Sequence, residues 1–151
     1  MLKLILNKKY NPLFSSDARY FIITGGRGSG KSFAVTVFLT LLTMTKGIRI
    51  LFTRFTMTSA HLSIIPEFLE KIGLLGFDEV FSINKAEVVN TSNQSDILFR
   101  GIRTSAGNQT ASLKSLQGIS TWVLDEAEEL VDENIFDTID LSIREKNIHN
   151  R

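Results

Sequence analysis

Residues 25–32 read GGRGSGKS, between the apolar run RYFIIT (residues 19–24) and FAVTVFLTLLTM (residues 33–44). The first run has the composition of a short buried strand, stopped by Gly25. The second is apolar nearly all round, which predicts a helix from Lys31 to Thr45 packed on a sheet, with Gly47 as its stop. A glycine-rich loop at such a junction is suited to holding an anion. Glycines let successive backbone N–H groups curl toward one point, and the helix start adds its positive end. The spacing fits G-x-x-x-x-G-K-S/T, so Gly25, Gly26, Arg27, Gly28, Ser29, Gly30, Lys31 and Ser32 would wrap the phosphates of a nucleotide. Lys31 would reach the β- and γ-phosphates, and the Ser32 hydroxyl would ligate Mg²⁺.

A phosphate loop says only that a nucleotide binds. TWVLDEAEEL, residues 121–130, narrows the chemistry. An apolar strand over Ser120 to Glu126 delivers Asp125 and Glu126 at its carboxyl end, where open α/β sheets bind ligands. Asp125 would hold the Mg²⁺ shell, and Glu126 would orient or deprotonate a water attacking the γ-phosphate. The acids that follow, Glu128, Glu129, Asp132 and Glu133, read as a solvated cluster with helix-start preference.

The remaining pattern alternates strands and helices. IRILFTR (48–54) reads as a strand, and Leu62, Ile65, Leu69 and Ile72 keep helical spacing up to Gly73. Pro66 leaves two options there: a helix that starts near Ser63, or one that starts earlier and kinks. FSI, EVVN and DILFRGI, within residues 81–102, read as strands, with TSNQS as a turn before the last. Ile135, Phe136, Ile139 and Ile143 mark a final amphipathic helix capped at Asp132. The pattern predicts an α/β domain with a mainly parallel sheet flanked by helices. Strands lying between the two motifs typify the nucleotide hydrolases of the additional-strand, catalytic-glutamate type, which points to ATP.

Composition sets outer limits. The chain has 151 residues, 43% hydrophobic and 22% charged, ordinary for one globular domain. A net charge of +1 leaves no global footprint, so any nucleic acid would be held by a local patch or a partner. With no cysteine, disulfides and thiolate metal sites are excluded. The apolar run 33–44 contains three threonines and falls short of a membrane span, so an intracellular protein without membrane contact is expected. Trp122 and the eleven phenylalanines read as core, and His61 and His149 as surface.

ARYFIITGGRGSGKSFAV, RILFTR, ILFRGI, KSLQGIS and TWVLDEAEEL, in this order, resemble the large terminase subunit of tailed bacteriophages. The resemblance spans essentially the whole chain. It implies a P-loop ATPase that uses ATP and Mg²⁺ to drive double-stranded viral DNA into the procapsid in the host cytoplasm. The implied partners are the portal protein, the small terminase subunit and further copies of the chain in a ring. Gly25 to Ser32 would be the phosphate loop, Asp125 the metal-binding acid and Glu126 the catalytic acid. Arg27 stands where many terminases keep a loop arginine that senses the γ-phosphate. Gln117 and Gly118 would lie in a loop approaching the nucleotide. Arg100, Arg103 and Lys114 read as solvated surface first, and as a DNA track or a trans finger second.

Family members continue with a further strand, a coupling motif and an RNase H-like nuclease domain. Residues 1–151 are therefore expected to be a partial ATPase domain that binds ATP, hydrolyses it poorly, cuts no DNA and self-associates. Two rival readings stay open on the residues alone. One is a helicase-like or RecA-like ATPase, which should show a second ATPase half or a Ser-Ala-Thr coupling segment. The other is a nucleotide-binding fragment without turnover.

Overall fold

The computed structural model describes residues 4–57, 60–104, 107–108, 113 and 115–143. After a short N-terminal helix α1 (Pro12–Ser15) come the glycine loop and helix α2 (Lys31–Leu42), then strand β1 (Arg49–Arg54) and helix α3 (Ala60–Leu75). Strands β2 (Phe81–Ile83), β3 (Glu87–Asn90) and β4 (Asp96–Gly101) follow, then the two-residue strands β5 (Arg103–Thr104) and β6 (Gly107–Asn108). Strand β7 (Thr121–Leu124) and helix α4 (Glu133–Asp140) complete the described elements. The main sheet has the order β2-β3-β4-β1-β7.

β1 lies inside this sheet, parallel to β4 on one side and to the edge strand β7 on the other. Its residues Ile50 to Thr53 are buried, as a strand covered on both faces requires. Side chains alternate between the faces. Ile50, Phe52, Ile97 and Phe99 meet Leu39 and Leu42 of α2 and Ile64, Ile65, Phe68 and Ile72 of α3. Leu51 and Leu98 point the other way, into a core with Leu113, Ile119, Ile135, Ile139 and Ile143. Phe52, Phe68 and Phe99 form a triangle with ring centroids 5.4–6.0 Å apart. Each such pair adds about 0.5–1.5 kcal/mol beyond its burial.

The sheet is mixed, which corrects the expected mainly parallel one. β1 has two parallel neighbours, but β3 runs antiparallel to both β4 and β2. The reason is connector length. Three residues join β2 to β3 and five join β3 to β4, whereas a parallel crossover needs about a dozen. Asn84 closes the first turn by accepting from the N–H groups of Ala86 and Glu87 at 2.8 and 3.0 Å. The second turn clamps the end of α2: Asn90 and Asn93 amides donate to Thr43 O at 3.1 and 3.0 Å, satisfying a carbonyl that the helix leaves open.

A second correction concerns residues 19–24. They form no strand, so the phosphate-loop strand of the expected additional-strand arrangement is not part of this sheet. Phe21 and Ile23 do pack inward, on Leu6, Tyr10, Leu13, Ala34, Val35 and Phe38. Ile22, on the opposite side, is 91% exposed. The alternating pattern was present, but only one of its two faces is covered. The segment is tied instead to the end of α4, where the Tyr20 hydroxyl donates to Asp140 Oδ2 at 3.0 Å.

The helices also depart in detail from expectation. α2 ends at Leu42 rather than Thr45, and its buried threonines satisfy themselves, Thr40 Oγ1 donating to Thr36 O at 2.8 Å. α3 starts before Pro66 and continues past Gly73 to Leu75, with Gly76 in a left-handed conformation (φ 72°) after it. Pro66 removes the hydrogen bond to residue 62 at a cost of about 3 kcal/mol, offset by the buried face that follows it. That face is Ile64, Ile65, Phe68 and Ile72: of the expected stripe Ile65 and Ile72 turn inward, while Leu62 and Leu69 are exposed. The fit of Phe68 between Phe52 and Phe99 sets this rotation of the helix. α4 is capped as expected, Asp132 Oδ1 accepting from Asn134 N at 3.0 Å.

Candidate nucleotide-binding site

The glycine loop is set by three left-handed or near-extended positive-φ positions, Gly25 (154°), Gly28 (77°) and Gly30 (78°). A side chain is excluded at Gly25 on packing grounds as well, because a Cβ there would lie 2.9 Å from Ser29 Oγ. Gly30 is the N-cap of α2 and supplies no side-chain hydrogen bond, and no acid stands in the first turn. The opening N–H groups of the helix are thus left for a ligand. Ser29 Oγ is buried without a hydrogen-bond partner. An orphaned hydroxyl beneath an uncapped helix start fits an anion in the loop. Tyr10, which the sequence reading passed over, braces the loop from behind: its hydroxyl donates to Ser29 O at 3.0 Å.

Lys31 lies back on its own loop, donating from Nζ to Gly25 O at 2.8 Å. Ser32 and Arg27 are exposed, and the next residue, Phe33, carries the Lys71 ammonium 4.8 Å from its ring centroid.

The acids sit at the carboxyl edge of the sheet, as expected. Asp125 N extends the β1–β7 ladder by donating to Thr53 O at 2.9 Å. That step makes Arg54 and Asp125 neighbours across the two strands. Arg54 Nε donates to Asp125 Oδ2 at 2.7 Å, its Nη2 lies 2.7 Å from the same oxygen and 3.4 Å from Glu126 Oε1. Glu126 holds a left-handed backbone (φ 54°, ψ 49°), a costly conformation for a residue with a Cβ. Trp122 supports this edge from the core: Nε1 donates to Thr53 Oγ1 at 2.8 Å, and the ring packs 5.1 Å from Phe136.

Glu67 of α3 is a third carboxyl in this neighbourhood. Burial pushes its pKa up, Lys71 opposes that shift, and the charges of Asp125 and Glu70 add to it. Arg54 and Glu67 escaped the sequence reading. The usable signal for Arg54 was its place at the end of a central strand parallel to the one delivering Asp125.

Among the described residues no hydrogen bond or ion pair joins the loop to Asp125 or Glu126. Lys71, over the Phe33 ring next to the loop, and Asp125 both act on the Glu67 carboxyl through their charges. Nor does any group of three or more His, Asp or Glu among them form a metal cluster. Mg²⁺ at Ser32 and Asp125 would therefore draw most of its ligands from phosphate and water, its usual habit. Gln117 and Gly118 stand at the opposite edge, before β7, where Gln117 O accepts from Arg49 Nη1 at 3.3 Å. At about 3.3 Å per residue, that edge is roughly 15–20 Å from Asp125, so this loop does not approach the acids. Arg100 donates to Phe99 O and Ala86 O, and Arg103 is exposed beside the Phe55 ring. Lys114, His149 and the His61 side chain lie outside the described residues.

No helix among the described residues is long and apolar enough to cross a membrane. No curated protein matches the chain. The sequence model of one family, described as phage terminase large subunit, matches residues 17–151, which include the glycine loop, all of the main sheet and both acids. The chain belongs to the phage terminase large subunit family, and with it to the machinery of phage DNA packaging.

Proposed function

We propose that this chain is the ATP-hydrolysing part of the packaging motor, coupling ATP turnover to movement of double-stranded viral DNA into the procapsid. The observation that carries the reading is the glycine loop, with its uncapped helix start and unpaired Ser29 hydroxyl. Backbone N–H groups from Gly26 to Ser32 would hold the phosphates, and Lys31 would leave Gly25 O for them. Ser32 and Asp125 would hold Mg²⁺, which when bound neutralises phosphate charge. Glu126 would accept the proton of the attacking water, and Arg27 would contact the γ-phosphate. The portal protein, the small terminase subunit and a ring of further copies are the partners this reading entails, in the cytoplasm of the infected bacterium.

The decisive experiment is ATP titration of the Lys31→Ala variant by calorimetry. Losing a charge-assisted contact should weaken binding by at least ~1.5–3 kcal/mol. Equal affinity for parent and variant would remove the site. Binding without any turnover in the full-length protein would favour an assembly role instead.

A further inference from the structure

Arg54 is the cation already present among the acids. It follows Thr53, whose cross-strand partner is Leu124, so the ladder itself sets the guanidinium beside Asp125. Both of its contacts to Asp125 fall on one oxygen, Oδ2, and Nη2 also faces Glu126 Oε1 at 3.4 Å. Adjacent carboxylates repel, and a single cation between them offsets that repulsion. A divalent ion entering at Asp125 would share a carboxylate whose Oδ2 Arg54 already holds twice, and would face the guanidinium charge. The two cations compete for the same negative charge.

The position is suited to exchange. The Arg54 side chain is 23% exposed, and those of Asp125 and Glu126 are 34% and 45% exposed, so water can solvate the groups as the pair opens. Glu126 needs an external hold, because its left-handed backbone is not self-stabilising.

We propose that Arg54 is a positioning residue: it clasps Asp125 and Glu126 in the metal-free protein and loosens its hold on Asp125 when Mg²⁺ enters with the nucleotide. Breaking the clasp costs free energy that is subtracted from the coupling between metal and ATP. Arg54 thereby keeps the acids ordered between turnovers and limits how strongly metal promotes ATP binding. The proposal rests on the ATPase reading of Asp125.

The test measures affinity for a fluorescent ATP analogue in Mg²⁺ and in EDTA, and takes the ratio, which reports the metal–nucleotide coupling. In Arg54→Ala the ratio should rise about fivefold, the scale of a partly exposed ion pair. Arg54→Lys keeps the charge but loses the planar fork, so it should show a smaller rise of about threefold. Circular dichroism and melting establish that each variant is folded. If the alanine variant does not fold, the lysine variant decides. A ratio unchanged or lowered in the folded variants overturns the proposal. So does a rise in alanine with lysine at the parental value, because charge alone would then be acting. Asp125→Ala separates this from the underlying reading: its ratio should collapse toward one. A parental ratio in that variant would remove Asp125 as the metal ligand.

Discussion

β1 carries an arginine at each end, and each is paired with an aspartate on a parallel neighbour. At the amino edge, Arg49 Nε donates to both Asp96 oxygens at 3.1 Å, Nη2 to Oδ2 at 3.0 Å and Nη1 to Gln117 O. These hydrogen bonds push the Arg49 pKa up. The Asp96 side chain is 8% exposed, and Ser95 and Ser120 tie off the surrounding backbone. At the carboxyl edge, Arg54 engages one oxygen of a more open aspartate, beside a second acid with a left-handed backbone. The same pair of residue types thus serves two ends. A saturated pair on a buried aspartate is a structural tie, whereas a half-satisfied pair on an open aspartate beside backbone strain is a site poised for a ligand.

The largest effect that would sharpen this contrast is on turnover. Glu126→Gln keeps the shape but cannot accept a proton, so in the full-length protein ATP should still bind while hydrolysis falls ~10²-fold or more. An unchanged hydrolysis rate would show that another group takes the proton.

The next effect is on stability, and it sets the two edges against each other. Arg49→Ala strands a buried carboxylate and should cost about 2 kcal/mol, between the values for exposed and fully buried pairs. Arg54→Ala should cost less than about 1 kcal/mol, because water can take over at the more open edge. Urea melts of the two variants measure this directly; equal losses would mean that the two edges are tied equally.

The smallest effect is a pH dependence. The folded-state pKa of Glu67 is raised, mainly by burial, above the ordinary glutamate value of 4.5. The folded protein therefore holds this proton more tightly than the unfolded chain does. Stability should fall as pH rises from the ordinary value through the raised one, and the penalty is complete above it. Glu67→Gln carries no charge to desolvate. In metal-free buffer its melting temperature should exceed the parent's at neutral pH and converge with it in acid. A constant offset across pH would assign the change to packing instead.

Much of the fold was legible where local pattern suffices. Helix α2, strands β1 to β4 and β7, the Asp132 cap and the glycine loop follow from composition, periodicity and turn residues. The error over residues 19–24 came from reading alternation as pairing. RYFIIT satisfies a strand pattern, yet its pattern cannot say whether a neighbour covers Ile22. The mixed sheet was within reach, because connectors of three and five residues exclude parallel neighbours. On α3 the expected stripe holds at Ile65 and Ile72, and contact of Phe68 with Phe52 and Phe99 turns Leu62 and Leu69 outward.

By itself, then, the sequence determined that a phosphate-binding loop opens a buried helix and that two acids end an apolar strand. Both are properties of short contiguous segments, written in backbone freedom and hydrophobic period. Only the tertiary structure decided that Arg54 clasps those acids, that Tyr10 braces the loop and that Glu67 is half-buried near Asp125. Those contacts depend on cross-strand register and helix rotation. Both are set by how the whole core packs, between residues as far apart in sequence as Arg54 and Glu126, and no local pattern encodes them.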